Sequence, residues 1–241
     1  RSLIAEQFRI FRTNMNFLTA QKKCPKILVT SSMTGEGKSF ITANLGMVYA
    51  YSGKKVLLME MDLRKPHLAK MLKCNTEKGF SNFIVSGDSI KEYVQPVTDN
   101  PNLFLLSSGP IPPNPAELLM SEALPAIFEK FSEQFDVIIM DSPPIGIVTD
   151  AQILSNYSDV NLFVVRERYT YKNSLEIIDD LLGNKKFANL YLIVNDVQRG
   201  SSYKYGYSYG YSYGYGYGNS NGYYSKKSKT KKTMLNKIVG K

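Results

Sequence analysis

The sequence feature that most limits the fold is residues 26–39, where an apolar segment runs into a short turn that ends in Lys38-Ser39. The apolar part is typical of a buried β-strand. Gly35 and Gly37 allow backbone N–H groups of the turn to point inward at phosphate oxygens, and a helix after such a turn adds the positive end of its dipole. The stretch therefore predicts a strand, a phosphate-binding loop (P-loop) and a helix, which together belong to an α/β fold.

Within this P-loop, Lys38 is predicted to reach the β- and γ-phosphates of a nucleotide, and the Ser39 hydroxyl is predicted to ligate Mg²⁺. The helix that follows is predicted over residues 38–52. The residues predicted to bind the nucleotide are Thr34, Gly35, Glu36, Gly37, Lys38, Ser39 and Phe40. The alternative interpretation is a strand-to-helix turn that binds no ligand.

Two positions of the P-loop depart from known patterns. The general pattern G-x-x-x-x-G-K-[ST] has a glycine where this chain has Ser32. Met33 occupies the place where ATPases of the division-site and plasmid-partition class carry a second lysine. Met33 in place of this lysine argues against simple membership of that ATPase class.

A second apolar segment, residues 55–59, leads to Glu60 and Asp62. In open parallel α/β sheets, ligands lie at the carboxyl ends of strands, so both carboxylates are expected to face the same site as the P-loop. Alternation along an extended chain places Glu60 and Asp62 on one side and Met61 on the other. The alternative is that Glu60 and Asp62 are solvated charges of a surface loop.

Asp141 follows four apolar residues and has the form of a Walker B motif, which is a weak signal alone and a strong one downstream of a P-loop. We predict that Asp141 holds Mg²⁺ through a water molecule. The Ser-Pro-Pro run of residues 142–144 would be the rigid start of a loop that senses the γ-phosphate.

Strands and helices alternate along the rest of the chain. Further strands are predicted at residues 103–106, 160–165 and 190–194, and further helices at residues 2–20, 79–87, 116–131 and 173–182. This alternation predicts the α/β class, with a doubly wound, mostly parallel sheet and a P-loop NTPase fold.

Several polar residues lie near the ends of the later strands. Asn195 is placed where its amide could form hydrogen bonds with an adenine ring. The alternative is that Asn195 is a turn residue that caps the strand. Thr149 or Asp150 is predicted to cap the next helix, in preference to a direct active-site role for Asp150. Arg166, Arg168 and Arg199 follow the last two strands, and the sequence does not rank them.

The net charge of +9 suggests a nucleic-acid partner until it is located along the chain. Residues 201–241 hold eight lysines and no acidic residue, which leaves +1 for residues 1–200. The body is nearly neutral, so no nucleic-acid partner is expected. Cys24 and Cys74 have no metal-ligand spacing, which favours a reducing cytosolic compartment.

Residues 201–241 form a low-complexity tail. Its tyrosines alternate with Gly, Ser and Lys, and this pattern leaves no apolar residues to form the second face of a strand, so disorder is expected. Attached to a nucleotide-binding domain, such a tail looks like a substrate. The alternative is a linker whose aromatic side chains make non-specific contacts.

Together these features resemble the bacterial tyrosine kinases (BY-kinases), the cytoplasmic domains of capsule and exopolysaccharide export systems. The resemblance covers essentially the whole chain. It rests on the P-loop of residues 31–39, on residues 60–64 as the family's second Walker motif, on residues 141–144, on residues 108–119 and on the tyrosine cluster. The family usually has aspartate at the position of Glu60 and often proline at that of Thr34.

The resemblance implies transfer of the γ-phosphoryl group of Mg·ATP to tail tyrosines of a neighbouring subunit. Lys38 would stabilise the transferred phosphate and Glu60 would orient or deprotonate the phenol, while Arg64 would help to hold the phosphates. Mg²⁺ would be organised by Ser39, Asp62 and Asp141. The implied acceptors are Tyr205, Tyr207, Tyr209, Tyr211, Tyr213, Tyr215, Tyr217, Tyr223 and Tyr224.

The resemblance also implies three segments: an oligomerisation helix in residues 1–22, a kinase domain in residues 23–200 and the tail. Glu6, Arg9 and Arg12 match the family's Glu-x-x-Arg-x-x-Arg pattern, which mediates assembly of a ring, commonly an octamer. Residue chemistry alone favours a surface helix with local ion pairs.

Further partners implied are a transmembrane activator or polysaccharide co-polymerase segment and a tyrosine phosphatase. The chain contains no apolar run of the roughly 18 residues that a membrane span needs. It starts at Arg1 rather than methionine, so a preceding segment is expected. The resemblance implies attachment of the parent protein to the inner membrane. The Lys226–Lys232 cluster could also contact anionic lipid.

Two other function classes remain open on sequence grounds. One is a partition-type or carrier ATPase that never phosphorylates protein, against which Met33 argues. The other is a nucleotide-gated assembly module whose tail only binds. The tyrosine-rich tail argues against both.

Overall fold

A seven-stranded β-sheet with helices on both faces forms the body of the protein. The computed structural model describes residues 3–86, 92–97, 100–183 and 187–198. The strands are β1 (Lys26–Ser31), β2 (Val56–Glu60), β3 (Val94–Pro96), β4 (Leu103–Leu106), β5 (Val137–Asp141), β6 (Val160–Arg166) and β7 (Leu190–Asn195). The helices are α1 (Leu3–Leu18), α2 (Lys38–Ala50), α3 (Leu68–Met71), α4 (Phe80–Ser86), α5 (Pro115–Leu119), α6 (Leu124–Gln134), α7 (Asp150–Ser155) and α8 (Glu176–Gly183), with a 3₁₀ turn at Lys172–Leu175.

The strand order across the sheet is β3-β4-β2-β5-β1-β6-β7. Every neighbouring pair is parallel except β3 with β4. The carboxyl ends of parallel strands meet at one edge of a sheet, which brings the P-loop after β1 close to the ends of β2, β5 and β7. Glu60 of β2 is paired in register with Asp141 of β5. The predicted mostly parallel α/β sheet is confirmed.

Alternate residues of the central strands pack against opposite helix layers. Val29 of β1 lies in a core cluster with Leu45 and Tyr49 of α2. Its neighbour Leu28 faces the other way and lies in a second cluster with Phe131 of α6. Burial on both faces explains why these strands are continuous apolar runs in the sequence.

Helix α1 packs against α2 as part of this body. Phe8 and Met15 of α1 are buried in the same cluster as the apolar face of α2. The guanidinium of Arg12 donates a hydrogen bond of 2.8 Å to the carbonyl of Val48 near the end of α2. The opposite side of α1 leaves large apolar side chains exposed, among them Ile10 and Phe17.

The single helix predicted over residues 116–131 is wrong, because two helices occupy this region. Helix α5 ends at Leu119, and α6 begins at Leu124. Pro125 lies in the first turn of α6, where its missing N–H is tolerated. In one continuous helix the same proline would remove a hydrogen bond and clash with the preceding turn.

Strand β3 has no counterpart in the sequence prediction. It is three residues long, ends in Pro96 and pairs antiparallel at the edge of the sheet, and each of these properties weakens a sequence signal. The tail and Arg199 lie outside the described residues. Within the described ranges, no helix combines the length and the hydrophobicity that crossing a membrane requires.

Candidate active site

The P-loop connects β1 to α2 through two residues in the left-handed backbone region. Gly35 has a φ of 90° and Gly37 has a φ of 98°. A Cβ atom on Gly37 would lie 2.2 Å from Nδ2 of Asn195, so side-chain space is closed as well. Glycine is therefore required at this position both by the backbone and by the contact with β7.

A cavity of about 340 Å³ lies beside the P-loop. The predicted site residues that line it are Thr34, Gly35, Gly37, Lys38, Ser39, Phe40, Asp62 and Arg64. It is completed by Lys65, His67, Pro143, Pro144, Ile147 and Val148. Four other predicted site residues, Glu36, Glu60, Asp141 and Asn195, are not part of this lining. The structure thus brings most of the predicted P-loop residues to one cavity and places the others behind it.

Ser39, which lines the cavity, contacts Asp141 behind it. The Ser39 hydroxyl donates a hydrogen bond of 2.6 Å to Oδ2 of Asp141. Burial raises the pKa of Asp141 from its usual 3.8 to about 7, although the hydrogen bond from Ser39 and the charge of Lys38 both act in the opposite direction. The other carboxylate oxygen, Oδ1, is buried and has no hydrogen-bond partner among the described residues.

This geometry fits a magnesium ion. A buried carboxylate oxygen without a partner is costly unless a ligand completes its coordination. The hydroxyl and carboxylate oxygens of Ser39 and Asp141 are hard ligands of the kind that Mg²⁺ prefers. The described residues contain no cluster of three or more His, Cys, Asp or Glu side chains that could hold a metal alone.

Glu60 lies behind the cavity. Its carboxylate is fully buried and accepts hydrogen bonds of 3.1 Å from the backbone N–H groups of Ala69 and Ser108. Strand β2 ends at Glu60, so the expected strand alternation does not continue to Asp62. Asp62 lines the cavity, while its Oδ1 accepts hydrogen bonds from the backbone of Arg64 and Lys65. The two carboxylates are therefore not on one face, and a role for Glu60 as base stays a prediction.

Arg64 binds Asp150 in a two-pronged ion pair. Its Nε and Nη2 donate hydrogen bonds of 2.9 and 3.1 Å to the two oxygens of Asp150, whose side chain is fully buried. Thr149 is the residue before α7 and makes no capping hydrogen bond through its side chain. Thr149 thus occupies the predicted N-cap position without a side-chain hydrogen bond, and the Asp150 carboxylate binds Arg64 instead of capping α7. Sequence alone carries no signal that couples two residues so far apart in the chain.

Residues at or just after the ends of β6 and β7 contact backbone carbonyls of the P-loop. Nδ2 of Asn195 donates a hydrogen bond of 2.9 Å to the carbonyl of Glu36. Nη1 of Arg166 and the hydroxyl of Tyr169 donate to the carbonyls of Gly35 and Thr34, at 3.2 and 3.0 Å. Contact of Asn195 with an adenine ring stays a prediction. In this structure its amide supports the loop.

Most of the chain matches known proteins. Residues 25–195 match the AAA domain family. The chain is 37% identical over 206 residues to the tyrosine-protein kinase YwqD of Bacillus subtilis (strain 168), an alignment that covers 86% of each chain. The chain belongs to the bacterial tyrosine kinases. Its enzymatic class is protein-tyrosine kinase, as in the named relatives.

Two more relatives and two solved structures extend the comparison. The putative tyrosine-protein kinase CapB of Staphylococcus aureus is 34% identical over 211 residues, covering 85% of this chain and 90% of the relative. A putative tyrosine-protein kinase in the cps region of Klebsiella pneumoniae is 30% identical over 204 residues, covering 85% of this chain and 28% of that protein. The chimerical protein CapA2B2 superposes with a TM-score of 0.77 at 30% identity, over 83% of this chain and 87% of the other. The kinase domain of Escherichia coli tyrosine kinase ETK also gives 0.77, at 26% identity over 88% and 81%.

In this bacterial tyrosine kinase, sequence reasoning missed part of the cavity wall. His67 precedes α3 and lines the cavity, although nothing in its sequence context pointed to the site. Ile147 and Val148 lie between the Walker B strand and α7, and the side chain of Ile147 is 63% exposed. The signal in the sequence is that apolar residues, among them Ile147 and Val148, follow directly after the predicted γ-phosphate loop of residues 142–144.

Asp141→Asn is expected to stabilise the nucleotide-free kinase at pH 8. The folded-state pKa of about 7 lies above the unfolded value, so the native state binds more protons between about pH 4 and pH 7, and its stability falls as the pH rises through that window. Asparagine still accepts the Ser39 hydrogen bond without a buried charge. We expect the melting temperature of the variant, relative to wild type, to be roughly 2–6 °C higher at pH 8 than at pH 4. A difference between variant and wild type that does not change with pH would contradict this.

Proposed function

We propose that this chain transfers the γ-phosphoryl group of ATP to tyrosine hydroxyls in residues 201–241 of a neighbouring copy of the same chain. The observation that carries the proposal is the cavity itself, which has Lys38, Asp62 and Arg64 in its wall together with the apolar side chains of Phe40 and Ile147. Charged groups suit the phosphates, and apolar side chains suit a phenol ring. A phosphoryl donor and a tyrosine can therefore meet in one space.

The residues of the chain would act mainly by positioning and by charge. Lys38 would lie against the transferred phosphoryl group, where its charge stabilises the transition state. Bound Mg²⁺, held by Ser39, Asp62 and Asp141, would neutralise charge that develops on the phosphates. Arg64 is held in place by Asp150, so its guanidinium presents a fixed positive edge to the cavity.

The carboxylate that orients or deprotonates the phenol is one of two candidates. Asp62 lines the cavity in this structure. Glu60, the residue predicted from the family resemblance, would have to release the N–H groups of Ala69 and Ser108 to reach the phenol. The geometry favours Asp62 for contact with the acceptor and Glu60 for support of the wall behind it.

The proposed acceptors are the tyrosines from Tyr205 to Tyr224. Nine tyrosines lie in this range and a tenth is Tyr203. Because they are attached to one domain, they have a high local concentration at a neighbouring site. Each phosphotyrosine would add roughly −1.5 to −2 charges, so about five would outweigh the eight lysines of the tail. We propose that this reversal loosens the assembly, and an oligomer of unchanged size after phosphorylation would refute that part.

Assembly into a ring would use α1, as the family resemblance implies. Glu6 and Arg9 form an exposed ion pair of 2.7 Å, and Ile10 and Phe17 are exposed on the same helix. Arg12 is already bound to Val48, which fixes α1 to the body. The same proposal includes octameric size, a transmembrane activator segment, a tyrosine phosphatase, inner-membrane attachment and lipid contact through the tail lysines. It also includes a role in capsule or exopolysaccharide export, which the cps-region relative supports.

Intact-mass measurement after incubation with Mg·ATP tests the kinase proposal. We expect mass increments of one phosphate each, located by peptide mapping in residues 201–241. Release of ADP without increments would instead support a partition-type ATPase. Binding of nucleotide with neither product would support an assembly module.

A further inference from the structure

Glu36 lies inside the P-loop but does not face the cavity. Its side chain is fully buried and is not part of the cavity lining. Its Oε1 accepts a hydrogen bond of 2.8 Å from the Ser32 hydroxyl, and its Oε2 accepts one of 2.8 Å from the backbone N–H of Met33. A third donor, the Thr170 hydroxyl, also reaches Oε1. The carboxylate is therefore surrounded by donors from the protein and is turned away from the phosphate position.

These hydrogen bonds tie the start of the P-loop to its middle. Glu36 lies between Gly35 and Gly37, both in the left-handed region, where glycine has the greatest backbone freedom. A loop of this kind has no repeating backbone hydrogen bonds to hold its shape. Asn195, Arg166 and Tyr169 hold carbonyls of the loop from outside. The Glu36 carboxylate adds a restraint within the loop by joining the side chain of Ser32 and the backbone of Met33 to its second half.

Thr170 extends the restraint to the neighbouring strand. Its side chain is almost fully buried, and its Oγ1 accepts a hydrogen bond of 2.8 Å from the backbone N–H of Arg166 at the end of β6. Because the oxygen is an acceptor there, its own proton is directed at Glu36. The P-loop is thus connected through two hydrogen bonds to a rigid strand of the sheet.

We propose that Glu36 and Thr170 are positioning residues that hold the P-loop in its nucleotide-binding conformation. The proposal deepens the proposed function, since it rests on nucleotide binding by the P-loop. It also gives Ser32 a role: where the general pattern has glycine, this chain has a hydroxyl that donates to Glu36. A restrained loop has less conformational freedom to lose when it binds phosphate, and so binds more tightly.

The test is the dissociation constant for ADP with Mg²⁺, measured by calorimetry on wild type and variants. Thr170→Val has nearly the same shape and removes only the hydroxyl, so we expect about tenfold weaker binding, because one donor to a buried carboxylate is lost. Thr170→Ser restores the donor and should bind within about twofold of wild type. Thr19→Val is the matched control, because Thr19 is also buried and donates to a backbone carbonyl, that of Met15, far from the site.

The proposal predicts a loss confined to the variants that break the restraint. Ser32→Ala removes a second donor to Glu36 and is expected to weaken binding about threefold. This variant replaces Thr170→Val in the test if Thr170→Val does not fold. Wild-type affinity in Thr170→Val, no recovery in Thr170→Ser, or an equal loss in Thr19→Val would overturn it. If wild type binds ADP but phosphorylates no tyrosine, the proposed function fails while this inference stands.

Discussion

Lys38→Met is expected to lower tyrosine phosphorylation by at least about a hundredfold. Lys38 is the first residue of α2, lines the cavity and lies close enough to Asp141 for its charge to affect that carboxylate. Methionine keeps most of the length and the apolar stem but removes the charge that would stabilise the transferred phosphoryl group. Loss of one such group typically costs about 10²–10³ in rate. Initial rates of phosphate incorporation, followed by intact mass, measure the effect.

The matched control for Lys38→Met is Lys54→Met, because Lys54 is more than half exposed and lies in the turn after α2, away from the cavity. Its ion pair with Asp136 is long, at 4.0 Å, and such surface pairs contribute little. We expect this control to phosphorylate and to melt like wild type. A Lys38→Met variant that keeps more than about a tenth of the wild-type rate would contradict the assigned role.

Asp62→Asn and Glu60→Gln are expected to fail in different ways. Asparagine at position 62 keeps the oxygen that accepts hydrogen bonds from Arg64 and Lys65, so the fold should be unchanged while phosphorylation falls by about 10²-fold or more. Glutamine at position 60 places an amide N–H against the N–H of Ala69 or Ser108. One buried donor is then left unpaired, at a cost of about 1–3 kcal/mol.

Thermal unfolding together with initial rates separates the two carboxylates. For Glu60→Gln we expect the melting temperature to fall by roughly 2–10 °C in a domain of this size. For Asp62→Asn we expect no such change. If Glu60→Gln melts like wild type but does not phosphorylate, the carboxylate is the base that the family resemblance implies, and the supporting role assigned to it is wrong.

The sequence predicted those parts of the site that follow directly from a strand. The P-loop after β1 and Asp141 at the end of β5 are local patterns, and their parallel pairing in the sheet brings Ser39 into contact with Asp141. Long buried strands are the strongest signals in such a fold, which is why the sheet was predicted except for the three-residue β3.

The remaining parts of the site depend on side chains that meet across the fold. The position of Glu60 is set by backbone donors from residues 69 and 108, and that of Arg64 by Asp150. Glu36 meets Thr170 across more than a hundred residues of sequence. Local periodicity contains no information about such pairs, because it describes residues within one element and the partners lie in different elements or loops.

The most direct test of the central claim is a mixing experiment with two variants of different mass. One is Lys38→Met with its tail intact, and the other is an active chain whose tyrosines in residues 201–241 are replaced by phenylalanine. Incubated together with Mg·ATP, the Lys38→Met chain should gain phosphates on its tail, although neither variant does so alone. If the Lys38→Met chain gains no phosphate in the mixture while wild type does so under the same conditions, phosphorylation of one subunit by another is contradicted.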